Sequence, residues 1–414
     1  MSAAAQARSP WLSIIGIGED GIEGLTGAAR ALLSGARVVY GGKRHLALAD
    51  GLISGEARAW PSPLTGAVDE ILGLAGTPVA VLASGDPYLY GVGSLLARHV
   101  PAAQITAIPA PSAFSLACAR LGWAVADCAQ VTCCGRPVET LAPHLQPGRR
   151  VLVLSADETT PAAVATYLSA RGFGASRLHV MEALGGRRER IREAEAYGFG
   201  FNDVDPLNLI GIEVVGAAGA KVIPLASGLP DAFFENDGQL TKREIRAVTL
   251  SSLAPRAGER LWDIGCGSGS ISIEWLLRHP ANRAIAIERD PERAARAARN
   301  AANLGVPRLE IVEKAAPEAF ADLPAPDAVF IGGGGQADGV IETAWSALRP
   351  GGRMVVNAVT LETEARLIAA HGTYGGSLAR LSVERLEAIG GRHGFRPAMT
   401  VTQWVGQKPR DGGA

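Results

Sequence analysis

The run Leu261 to Ser270, LWDIGCGSGS, leaves the chain around it few architectures. An apolar strand enters a loop with glycines at 265, 267 and 269, and the helix-spaced ISIEWLL follows. That order places backbone N–H groups at a helix N-terminus, where a ligand can approach closely. About twenty residues on, a second apolar strand, AIAIE, ends on Glu288, where an acidic side chain can accept hydrogen bonds from a ribose. Together the loop and the acid predict a nucleotide-type site on a parallel sheet.

At 414 residues the chain exceeds one ordinary core, and a prior of about 150 residues per domain predicts two or three domains. Lys plus Arg number 40 against 41 Asp plus Glu, so no global field draws it to nucleic acid or an acidic membrane. The five cysteines form no CxxC and the seven histidines are scattered, which argues against a disulfide framework and against a metal site. The first residues lack an export-type apolar core, and no run approaches the ~18 apolar residues of a membrane span. A cytoplasmic protein without nucleic-acid or membrane partners is expected.

Strands are predicted at 11–17, 36–40, 78–83 and 105–108, with helices at 25–34, about 64–74 and about 91–98: an α/β lobe. A short disordered lead precedes it. A second lobe runs from about Ser112 to Val215, with helices at 112–121 and 161–170 and strands at 129–132, 150–154, 177–181 and 207–215. Its charged run RRERIR is interleaved with glutamates and reads as a solvated face. Residues 216 to 235 lack a period and carry two prolines, which places a boundary there. The expected division is 10–222, a linker at 223–235, and 236–410. The last part should hold a helix opening at Thr241, an alternating β/α series from 260 to 371, and two closing strands, about 379–387 and 399–406, paired as an antiparallel edge hairpin.

Residues 236–410 resemble the class I methyltransferases that use S-adenosylmethionine. The likeness rests on the GxGxG loop, Glu288, the LRPGG turn at 348–352 and the closing strands. A dinucleotide dehydrogenase would need glycine or alanine where Ser270 stands. More narrowly, NDGQLTKREIRA, EKAAPEAF, FIGGGG and NAVTLET are similar to the decarboxylating cobalt-precorrin C15 methyltransferases. This resemblance implies cofactor contacts at Thr241, Gly265, Cys266, Gly267, Ser268, Gly269, Glu288 and Ala316; Ala315 stands where that family usually has aspartate. The first part resembles the class III tetrapyrrole methylases, through GIGEDG at 16–21, Gly85-Asp86-Pro87 with Tyr90-Gly91, and the turn at 109–113. In that family the cofactor folds between two lobes, which implies contacts at Gly18, Gly85, Asp86, Leu89, Ser112 and Ala113.

The implied architecture is a two-lobed class III methylase fold joined to a Rossmann-like class I fold with an antiparallel closing hairpin. The implied activity is bifunctional: methylation of C5 and C15 of a reduced tetrapyrrole in cobalamin synthesis, with loss of CO2 from the C12 acetate. Two S-adenosylmethionine sites per chain, no metal and a homo-oligomer go with it. The alternatives are a fusion acting on RNA or protein, or one domain that binds the cofactor without catalysing. Methyl transfer from an activated sulfonium to an enamine-like meso carbon needs alignment more than a mobile base. A polycarboxylate substrate predicts cations at the cleft mouths, with Lys242, Arg243 and Arg246 as candidates beside Asn357 at a strand's carboxyl end.

Overall fold

The computed structural model describes residues 10–64 and 66–410. The lead expected to be disordered lies outside them, up to Pro10, as does residue 65 of the helix expected at 64–74. Two compact units emerge. One comprises the residues up to Arg136 with Pro147–Ala220, the other Pro137–Gln146 with the residues from Lys221 on.

In the first unit, the first lobe is β1 (Leu12–Ile17), α1 (Gly27–Ser34), β2 (Val38–Gly41), α2 (Lys43–Ala49), β3 (Glu56–Ala59), α3 (Gly66–Gly73), β4 (Val79–Ser84), α4 (Val92–Leu96) and β5 (Ile105–Ile108). The strands form one sheet in the order β3-β2-β4-β1-β5, parallel throughout. Val79 to Ala83 are all buried, as a continuous apolar strand covered on both faces must be. The Thr26 hydroxyl accepts from the amide of Ala29 and caps α1. The sequence reading passed over α2 and β3. The strand β3, EARA, is largely exposed at the sheet edge and carries no apolar signal.

The second lobe is α5 (Ala113–Leu121), β6 (Cys128–Thr132), β7 (Arg150–Leu154), α6 (Thr160–Ala170), β8 (Arg177–Glu182), β9 (Arg190–Glu195) and β10 (Asn208–Glu213). Its sheet runs β6-β7-β10-β8-β9, with only β6 and β7 parallel. The charged run is the edge strand β9. Its Arg190 and Arg192 reach the buried Glu182 of β8 and also Asp203, so the edge is blunted by charge rather than left open to pairing.

The second unit holds α7 (Arg243–Leu253), β11 (Arg260–Ile264), α8 (Ser270–Arg278), β12 (Arg283–Ile287), α9 (Pro291–Asn303), β13 (Glu310–Val312), β14 (Ala328–Ile331), α10 (Val340–Ala347), β15 (Arg353–Ala358), α11 (Leu361–Tyr374) and the strands β16 (Ser377–Leu381), β17 (Glu384–Ile389), β18 (Arg392–Pro397) and β19 (Val401–Gln407). Seven strands form the order β13-β12-β11-β14-β15-β19-β16, with β19 antiparallel to both neighbours. Trp262, Trp404 and Met354 are among the residues that fill its core. The closing hairpin differs from the expected one. Residues 379–387 break at Ser382-Val383, so β16 stays at the sheet edge while β17 and β18 form a separate two-stranded ribbon. Gly390 (φ 48°) and Gly391 (φ 77°) supply the two left-handed positions that such a tight turn requires.

Candidate functional site

Each unit carries a cavity at the carboxyl ends of its strands. In the first, a space of about 460 Å³ is lined by Gly18, Gly85, Asp86, Leu89, Ser112 and Ala113, all six positions expected from the sequence. The strand ends are tied there: the Gly85 amide donates to Ile17 and the Ala110 amide to Gly85. Asp86 Oδ1 accepts from the Tyr88 amide at 2.8 Å, which sets the turn, and Ser112 caps α5 through the Ser115 amide. Two lining residues of the second lobe, Ser155 and Asn208, hold buried oxygens (Oγ and Oδ1) with no hydrogen-bond partner. Orphaned acceptors beside an apolar cavity fit a ligand that brings its own donors, as an adenosyl group does.

The same wall carries residues that the sequence reading missed. Arg44 and His45 project from α2, Trp60 follows β3, and Ser84 ends β4. The His45 imidazole is held down at about 4, first by burial and then by the Arg44 cation. Arg44 itself is salt-bridged to Glu19, one of the acids in the first glycine loop. That contact explains why a loop with two acidic residues is tolerated beside a ligand site.

In the second unit a larger cavity, about 1090 Å³, lies over β11 and β14, where the strand order reverses. Thr241, Gly265, Cys266, Gly267, Ser268, Glu288 and Ala316 line it. Gly265 has φ 69°, and a Cβ there would stand 2.6 Å from the Gly333 carbonyl oxygen. The FIGGGG segment therefore lets two strand ends touch. Gly269 is not among the lining residues; a Cβ there would sit 3.0 Å from Ala297 Cβ of α9, so it serves helix packing. Glu288 accepts from the Gly267 amide at 3.0 Å and the Asp290 amide at 3.1 Å. Its carboxylate is thereby locked against the glycine loop, aimed for a diol, and the open space at Gly267 suits the same adenosyl group.

Beneath the loop Asp263 is fully buried. Burial raises its carboxyl to about 6, against the Ser272 amide and hydroxyl that donate to Oδ2. Burial, with Asp263 and Glu288 nearby, also pushes the Cys266 thiol well up, which leaves it a protonated filler of the loop.

Of the four substrate-contact candidates, Lys242 and Asn357 line the cavity, and Arg246, buried away from it, is overturned. Arg246 is 0% exposed: its Nε lies 2.5 Å from Glu274, and its other nitrogens reach Asp231 and the carbonyls of Leu229 and Thr241. It stands on the buried face of α7 with Thr249, Leu250 and Leu253, at helical spacing. Arg243 is exposed, donates to the Gly228 carbonyl, and is not among the lining residues. Asn357 lines the cavity, but its amide donates to Thr249 and accepts from Gln403, which ties β15 to α7 and β19. The cations at the wall are Lys242, Arg289, Arg293, Lys314 and Arg385. Arg293 pairs with Asp237 and Arg385 with Glu244. Among the described residues no cluster of three or more His, Cys, Asp or Glu is placed to hold a metal, and no helix is long and apolar enough to cross a membrane.

A two-lobed tetrapyrrole methylase joined to a seven-stranded class I methyltransferase is the class that these folds and cavities define. Residues 12–198 match the family described as tetrapyrrole (corrin/porphyrin) methylases, and residues 232–408 match the precorrin methyltransferase domain. A protein from Sinorhizobium sp, named precorrin-6Y C(5,15)-methyltransferase [decarboxylating], is 56% identical over 96% of both chains. One of the same name from Mycobacterium tuberculosis is 41% identical over 94% of this chain and 98% of that one. The crystal structure of the C-terminal domain of the Rhodobacter capsulatus precorrin-6Y C5,15-methyltransferase is 44% identical and covers 45% of this chain and 100% of that one, with a TM-score of 0.43. The chain belongs to the precorrin-6Y C(5,15)-methyltransferase (decarboxylating) family and is a methyltransferase dependent on S-adenosylmethionine.

Proposed function

We propose that this chain methylates C5 and C15 of precorrin-6Y and removes CO2 from its C12 acetate, each methylation at its own S-adenosylmethionine site. The first unit serves C5, the second C15 and the decarboxylation. The observation that carries the reading is that one chain, aligned almost end to end with relatives named for two carbons, has two cavities, each beside its own glycine loop. When bound, S-adenosylmethionine supplies an electrophilic methyl group.

The residues present supply placement. In the second unit the Gly267 and Asp290 amides fix Glu288, and the glycine segment after β14 leaves width for a flat macrocycle. Lys242, Arg289 and Lys314 stand at the wall among the described residues without a carboxylate partner, suited to the substrate's acid side chains. Such holding converts an encounter into alignment, which is worth up to about 7–11 kcal/mol of barrier in favourable cases. The reading takes the enzyme to be cytoplasmic, metal-free and homo-oligomeric; the five cysteines are free thiols.

Incubation with precorrin-6Y and methyl-labelled S-adenosylmethionine tests it by mass and by carbon NMR. Two methyl gains and one CO2 loss are expected, with two cofactor equivalents bound per chain in calorimetry. A single methyl gain, or one equivalent bound, would sink it.

A further inference from the structure

The first unit's cavity has a polar corner outside the six expected cofactor positions. Arg44 Nη2 lies 3.0 Å from both Ser84 Oγ and His45 Nε2, and Nε2 lies 2.8 Å from Ser84 Oγ. A guanidinium can only donate. Nε2 therefore accepts, and the neutral ring carries its proton on Nδ1, which is buried and has no partner to favour the other tautomer. Ser84, whose oxygen receives Arg44, competes with Arg44 for that single Nε2 lone pair through its own O–H at the shorter distance. The result is an exposed hydroxyl on the cavity wall, backed by a neutral imidazole and oriented to pass a proton inward.

The other titratable groups on this wall are engaged elsewhere. Glu19 is bound by Arg44 and lies 3.7 Å from Arg188. Asp86 accepts from the Tyr88 amide, the Tyr90 hydroxyl reaches the Gln130 carbonyl at 3.4 Å, and the Cys134 thiol donates to the Ser155 carbonyl at 3.2 Å. Burial and the Arg44 cation keep His45 neutral at ordinary pH.

We propose that Ser84 and His45 accept the proton that the meso carbon loses after methylation, with Arg44 as the positioning residue. The proposal rests on the reading that this unit serves C5. The π pair at C5 forms the new C–CH3 bond as the S–CH3 bond breaks, and sulfur keeps that bond's pair and becomes a neutral thioether. C5 now bears both hydrogen and methyl beside an iminium. The Ser84 oxygen takes the C5 proton as its own proton passes to the Nε2 lone pair, Arg44 releasing its contact with that nitrogen, and the C–H pair returns to neutralise the iminium. One methyl enters and one proton leaves, finally to solvent. Alignment serves the first event; the acceptor serves the second.

The full chain is tested with precorrin-6Y as His45→Gln and Ser84→Ala, the latter at an exposed side chain. Expected is a fall of about 10²–10⁴-fold in C5 methylation, with C15 methylation and cofactor affinity unchanged. A second readout omits the methyl donor: uptake of deuterium at C5 in D2O should fall in the same two variants. The acceptor works unprotonated, so activity is lost as pH falls through its pKa, near 4 in the parent. Removing a cause of that low value, in Arg44→Gln, should move the acid limb upward. C5 rates and deuterium uptake within about threefold of the parent, or a loss of cofactor affinity in both variants, would overturn the proposal. A Gly85→Val variant that still methylates C5 would instead overturn the assignment of this unit.

Discussion

Replacing Arg246 with methionine separates a buried tie from a substrate contact. In the native unit Glu274 is 0% exposed and accepts from Arg246 Nε at 2.5 Å, the Gly228 amide at 2.7 Å and the Leu229 amide at 2.9 Å. Removing one partner of a buried ion pair costs about 3–5 kcal/mol, because the survivor stays buried without its countercharge. Two amides would still solvate Glu274, which argues for the lower end. The lost stacking of Arg246 over Phe234, 4.8 Å from the ring centroid, adds about 1 kcal/mol. A total near 4 kcal/mol corresponds to a fall of about 8–16 °C in the melting transition of a unit of this size. Thermal unfolding of the full chain, with the transition of the second unit followed by hydrogen exchange at β11 and β14, reads it. The companion Glu274→Gln should cost a similar amount, and the double variant less than the sum, because the two share one interaction. A single-variant cost under about 1 kcal/mol, joined to a raised KM for the precorrin, would refute the reasoning and restore Arg246 as a substrate contact.

Two further outcomes follow from the glycine loop. Gly265→Ala places a Cβ 2.6 Å from the Gly333 oxygen at a left-handed φ, so calorimetry should find the second unit's cofactor site lost while the first unit's persists. Asp263 is raised above its unfolded value, so it favours folding below about pH 4 and loses that contribution as pH rises through about 6, roughly 3 kcal/mol in all; in Asp263→Asn, urea midpoints for the second unit should lose this slope between pH 4 and 7.

The parallel cores were legible because a buried strand is continuously apolar or nearly so: VAVLA and AVFI announce themselves, and LWDI does apart from Asp263. The glycine loop, Glu288 and the GDP turn were legible because backbone close to a ligand tolerates few residue types. What escaped lacks such a constraint. The edge strand β3 alternates charged residues with alanine only, and α2 is short and starts on three basic residues, so Arg44 and His45 had no element to place them near Ser84. The break between β16 and β17 depends on which backbone the sheet edge accepts, a tertiary matter. Arg246 was within reach: its spacing from Thr249, Leu250 and Leu253 puts it on the apolar face of α7, where an arginine must be paired rather than offered to a substrate.

The segment read as a linker has length but no slack. Gly228 and Leu229 donate to Glu274, Asp231 meets Arg246, the Glu235 amide donates to Asn300, and Leu225 receives Arg278. Those residues are ballast for three helices, α7, α8 and α9, rather than a leash. A C-terminal fragment begun at residue 236 would therefore strip the acid at the heart of α8 of both its amide donors.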